Sequence, residues 1–141
     1  METKNAKLIK EFEDWMGLKH LSQSTITLYS NSVKTFLHKT GMEAYKINRG
    51  QIIQYLLKYK EASTYNHIRY SLQMFYADIV GQENKIADLP SAKREQKLPD
   101  ILSEEEFKIG ISKIKNIKHR CQMKLLYGCG MRLSDVLNMK P

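Results

Sequence analysis

The chain has 141 residues, and its 23 Lys and Arg against 15 Asp and Glu leave a formal charge of +8 and a sequence pI near 9.4. Apolar residues make up 42% and charged residues 27%, enough to build a core and to exclude global disorder. No apolar run approaches the roughly 20 residues that span a bilayer, the polar first ten residues lack a secretory h-region, and two cysteines make neither a disulfide framework nor a zinc site; the expectation is a cytoplasmic protein with an anionic partner.

With three prolines, seven glycines and little β-branched alternation, the predicted elements are all helices. The first carries Leu8, Ile9, Phe12, Trp15 and Met16 on one stripe, with Gly17 as its expected stop. The second starts after Ser22 or Ser24, places Ile26, Tyr29, Val33, Phe36 and Leu37 at helical spacing, and ends at Gly41. Asn48 with Gln51 forms a capping-box signature ahead of Ile52, Ile53, Leu56 and Leu57. Ser63 is the expected cap of a fourth helix, whose stripe is Ile68, Leu72, Phe75 and Ile79 and whose end is Gly81. Four amphipathic helices with short connections predict a small bundle.

Residues 81–100, with Pro90 and Pro99, read as a connecting stretch, and 90–100 as the linker proper. Beyond it Ser103 and Glu106 form a second capping-box signature before Phe107, Ile111 and Ile114. A sixth helix is expected over about 118–127 and a seventh through Leu133, Val136 and Leu137. About forty residues are too few to bury a comfortable core, so this second part is expected to be cut short. Cys121 and Cys129, eight apart, are expected as reduced residues in or near its core, and Tyr127 as a packing residue.

Charge is divided unevenly. Residues 1–92 carry 12 basic and 9 acidic side chains, or +3; residues 93–141 carry 11 and 6, or +5. From 107 to 134 no acidic residue interrupts Lys108, Lys113, Lys115, Lys118, Arg120, Lys124 and Arg132. Such a face is either simply solvated or contacts phosphate.

Three local patterns resemble the tyrosine recombinases, or phage integrases, in their Xer-like branch. Leu98-Pro99-Asp100-Ile101-Leu102-Ser103-Glu104-Glu105-Glu106 is similar to the run that leads into the family's catalytic domain. Leu125-Leu126-Tyr127-Gly128-Cys129-Gly130-Met131-Arg132-Leu133-Ser134-Asp135 resembles the segment around the family's first catalytic arginine, with Asp135 and Met131 where Glu and Leu are commoner. The run 63–76 resembles the last helix of the core-binding domain, with Gln73 where arginine is frequent.

The resemblance implies an all-α fold: a SAM-like four-helix core-binding domain over 1–89, the linker 90–100, and over 101–141 the first helices of a truncated catalytic domain. It implies double-stranded DNA and other recombinase protomers as partners, with no membrane, metal or small-molecule cofactor. In the family a tyrosine attacks a DNA phosphate, and cations stabilise the charge that develops on its oxygens. Arg132 matches the first of those cations, and a guanidinium fork suits two phosphate oxygens. The remaining members include an H-x-x-R segment, and none occurs here: Gln23, Gly41, Tyr70 and Gln122 lie three residues after the four histidines. The site is therefore expected to be incomplete and the chain to bind DNA without cleaving it. Ser24, Thr25, Asn31 and Lys34 on the second helix are the implied DNA-facing residues, with Asn66, His67, Arg69, Tyr70 and Gln73 on the fourth; Lys118 and Arg120 add cations. A short non-catalytic DNA-binding regulator is the alternative, and a helical protein–protein module the third reading.

Overall fold

The computed structural model describes residues 2–93 and 98–139, with no account of the side chains of residues 2 and 3. All regular structure among them is helical, in two compact units, Met1–Glu95 and Gln96–Pro141. Residues 94–97 of the expected linker lie outside the described residues.

In the first unit α1 spans Glu2–Leu18, α2 Gln23–Thr40, α3 Arg49–Leu56 and α4 Ala62–Met74. Leu8, Phe12 and Met16, four residues apart, are the buried edge of α1. Gly17, the expected stop, lies inside that helix. The left-handed residue is His20 (φ 54°), where the His20 N–H donates to the Gly17 carbonyl at 2.9 Å and the Leu21 N–H to the Met16 carbonyl at 3.3 Å. This closure satisfies two end carbonyls at a position where a side chain resists the conformation. The Ser22 hydroxyl caps α2 by accepting the Thr25 N–H, and Gly41 (φ 62°) ends it. Asn48 and Gln51 satisfy each other's backbone N–H at 3.0 and 2.9 Å, the reciprocal box that starts α3.

The cap of α4 is Glu61 rather than the expected Ser63. Its carboxylate accepts both the Ser63 and Thr64 N–H groups, which a hydroxyl inside the first turn cannot do, and its charge suits the positive helix end. After Met74 the helix widens to a π-turn over Phe75–Ile79, with the Val80 N–H bonded to the Phe75 carbonyl at 3.0 Å. The wider turn brings Phe75, Tyr76 and Val80 all into the core. Phe12 meets Phe75 edge-on at 5.5 Å, and Phe36 meets Tyr55 likewise at 4.9 Å. Tyr76 is fully buried and donates its hydroxyl to the Ala44 carbonyl at 3.2 Å. Burial pushes its phenol well above the usual range.

The stretch after Gly81 is no bare connector. Ile86 is fully buried and Leu89 packs against the core, so the chain still belongs to the bundle as it passes Pro90.

In the second unit α5 spans Glu104–Ser112, α6 Ile117–Cys129 and α7 Leu133–Asn138. Ser103 and Glu106 form the reciprocal box at the start of α5, which holds the Glu106 carboxyl below its usual range. Asn116 caps α6, and Gly130 (φ 60°) ends it. Tyr127 stacks on Phe107 at 4.0 Å with its other face open, 42% exposed. Val136 is the one buried apolar side chain here among the described residues. Cys121 and Cys129, expected in or near a core, are both exposed and free, because so thin a unit puts nothing over that side of α6.

Candidate nucleic-acid interface

The first turn of α2 gathers three hydroxyls. Ser22 Oγ lies 2.9 Å from Ser24 Oγ and 2.8 Å from Thr25 Oγ1. The first turn of α2 itself holds no acidic residue. The positive end of the helix dipole lies here, with the Thr25 N–H already taken by Ser22. Beside it, Lys19, Thr25, Tyr29, Tyr70, Gln73 and Asp78 line a groove of about 420 Å³, with residues from the α1–α2 turn, α2, α4 and the π-turn. Tyr29 and Tyr70 meet edge-to-face at 5.9 Å, and burial raises the Tyr29 phenol. Lys19 lies 3.9 Å over the Trp15 ring, which rests its stem on the bundle and leaves the residue exposed.

Of the DNA-facing residues expected from the sequence, Thr25, Tyr70 and Gln73 thus share one groove, and Ser24 is exposed at the helix start next to it. Lys19 and Tyr29 complete the lining. Neither stood out in the sequence: Lys19 sits in a turn, and Tyr29 shares the apolar spacing of its helix.

Lys34, Asn66, Arg69 and His67, also expected as contacts, already have partners within the bundle, whereas Asn31 is exposed and lines the same cleft as Lys34. Lys34 pairs with Glu13 at 2.8 Å and lines a separate cleft between α1 and α2 with Lys10, Glu13 and Asp14. The Lys34 ammonium holds the Glu13 carboxyl below its usual range against partial burial. Asn66 uses both amide atoms on Ala92, donating to its carbonyl at 2.7 Å and accepting its N–H at 2.8 Å. Arg69 Nη1 donates to Gln73 Oε1 at 3.1 Å and to the Leu89 carbonyl at 3.0 Å. His67 Nε2 meets the Ser32 hydroxyl at 3.2 Å.

In the second unit Lys118 and Arg120 are exposed on the first turn of α6, which holds no acidic residue. Arg132 occupies the N-cap position of α7 in extended conformation, two residues after the left-handed Gly130. Its side chain is exposed and makes no capping hydrogen bond, so the guanidinium fork faces solvent. Among the described residues no three His, Cys, Asp or Glu side chains gather as a metal requires, and no helix is long and apolar enough to cross a membrane.

These features define an all-helical bundle with a polar groove at a helix start, followed by a second helical unit with a basic first turn and a solvent-facing arginine. The family described as phage integrase, N-terminal SAM-like domain, matches residues 8–86, more than half of the chain, and the chain belongs to that family. The sequence is also similar to tyrosine recombinase XerA of Pyrococcus horikoshii, 26% identical over 99% of this chain and 48% of the relative. A tyrosine recombinase of Pseudothermotoga lettingae is 24% identical over 95% of this chain and 52% of its own length. Tyrosine recombinase XerD of Oceanobacillus iheyensis is 24% identical over 93% and 50%. The chain spans about half the length of the curated relatives it matches.

Proposed function

We propose that this chain is the DNA-binding part of a tyrosine recombinase, with 1–89 as its core-binding domain, 90–100 as linker and 101–141 as the start of its catalytic domain. The observation that carries the reading is the α2–α4 groove. It puts a lysine, a hydroxyl and an amide together, with the Asp78 carboxylate, beside a helix start whose first turn holds no acidic residue, and it lies in a bundle of the integrase family. The relatives named tyrosine recombinase align along both units, which supports the same reading for the second.

Phosphate oxygens would be met by the N–H groups and hydroxyls at the start of α2, by Lys19, and by Lys118 and Arg120 on α6. Arg132 would hold non-bridging oxygens of the phosphate under attack, where charge develops. The sequence carries no His-x-x-Arg segment to share that task. This stretch therefore grips the duplex without breaking it, and other protomers would share the DNA.

Binding measured over a range of salt tests this. Contact with about four to six phosphates gives a slope of log K against log salt of about −4 to −5. Nicked suicide duplexes should yield no covalent adduct. Undetectable binding at low salt, or salt-insensitive binding, refutes duplex binding; an adduct that survives denaturation refutes the incomplete site.

A further inference from the structure

The chain leaving the bundle is strapped along α4 by three side chains of that helix. Tyr65 Oη donates to the Pro90 carbonyl at 2.8 Å, Asn66 pairs with both backbone groups of Ala92, and Arg69 holds the Leu89 carbonyl. Ile86, fully buried, anchors the near end of the strap. Arg69 is turned inward rather than extended. It is half-buried, and its Nε is buried with no partner among the described residues.

The same Arg69 Nη1 reaches Gln73. An arginine side chain has donors only, so the Gln73 atom that faces it is the amide oxygen. Gln73 also lines the groove. With its oxygen held, the side chain has its NH₂ group left for a ligand.

We propose that the docked strap, acting through Arg69, presets Gln73 as a hydrogen-bond donor to the groove, so that the groove selects a ligand acceptor there. On DNA that acceptor is a phosphate oxygen or the O6/N7 edge of a purine. Arg69 is then a positioning residue and not itself a phosphate contact. The inference rests on the duplex-binding reading above.

The test compares the unaltered chain with Gln73→Glu, Arg69→Met and Asn66→Ala, each checked for helical content and melting temperature. Glutamate still accepts from Arg69 but has no donor, and affinity for duplex should fall about tenfold or more. Arg69→Met keeps the apolar stem and frees the amide; affinity should fall severalfold with the salt slope unchanged. Asn66→Ala, which touches neither Arg69 nor Gln73, loosens the strap and should move affinity the same way by less. A salt slope shallower by about 0.9 in Arg69→Met means that Arg69 itself grips phosphate, and overturns the proposal. So does Gln73→Glu binding as well as the unaltered chain. Duplexes with methylphosphonate linkages, with 7-deazapurines, or with 2-aminopurine in place of guanine identify the acceptor as phosphate, N7 or O6: the Gln73→Glu penalty should vanish on one of them, and its persistence on all three is a refutation. If the unaltered chain binds no DNA, the duplex-binding reading itself fails and takes this inference with it; DNA binding with normal affinity in Gln73→Glu removes this inference alone.

Discussion

Replacing Asn66 with alanine removes both hydrogen bonds that fix Ala92, at 2.7 and 2.8 Å, while the Tyr65 bond to Pro90 and the Arg69 bond to Leu89 remain. Ala92 is half-buried, so water replaces part of what is lost. At about 1 kcal/mol net for each neutral bond, the free energy of opening the strap at Ala92 should fall by about 2 kcal/mol. That corresponds to roughly 30-fold faster exchange of the Ala92 amide proton, read by NMR in the free protein. Ile86 stays anchored in the core, which confines the change, and amides of α1 and α2 should keep their protection. Asn66→Asp is the companion variant. It still accepts the Ala92 N–H but sets a carboxylate against the Ala92 carbonyl, and exchange should fall between the two. Unchanged exchange at Ala92 in Asn66→Ala would show that the strap is not held by this side chain.

His20→Gly should stabilise the bundle by about 0.5–1 kcal/mol in urea titration, because a left-handed backbone penalises a Cβ, and a loss of stability would contradict the closure at φ 54°. Tyr76→Phe leaves the Ala44 carbonyl without its buried donor and should cost about 1–3 kcal/mol in the same assay; a neutral change would mean that water or a shifted backbone replaces the bond. Glu13 is held below its ordinary range chiefly by Lys34, so it takes up fewer protons folded than unfolded. The stability from that pair is present above the unfolded carboxylate value of about 4.3 and disappears as pH falls through the lower folded value. The two side chains are 30% and 47% exposed, so Lys34→Ala should cost less than about 1 kcal/mol at pH 7, and the gap from the unaltered chain should close in acid. A gap that stays constant with pH would refute the pairing. Arg132→Ala should weaken binding to duplex only by about one exposed phosphate contact, with the salt slope shallower by about 0.9. A larger loss would show that Arg132 already sits in a preorganised pocket of this chain.

Interactions that span three or four residues were legible in the sequence. The Asn48–Gln51 and Ser103–Glu106 boxes, the Ser22 cap and the Gly41 stop close within one helical turn, so residue type and spacing specify them without any neighbouring element. The buried stripes Leu8–Phe12–Met16 and Ile68–Leu72–Phe75 follow from helical periodicity alone. Where several side chains competed for one end, spacing misjudged the choice: Glu61 took both amides ahead of Ser63, and α1 ran through Gly17 to a left-handed His20. The groove depended on packing. Thr25 and Gln73 come from different helices, and nothing in either helix says that their faces meet. The pairing of Lys34 with Glu13 across 21 residues and of Asn66 with Ala92 across 26 likewise exists only because the bundle has already met the cost of closing the intervening chain. Those contacts decided which polar side chains of α2 and α4 are held inside the molecule and which remain at its surface. Local sequence can place a residue on a helix face, but the opposing element determines whether its charge or amide is still free.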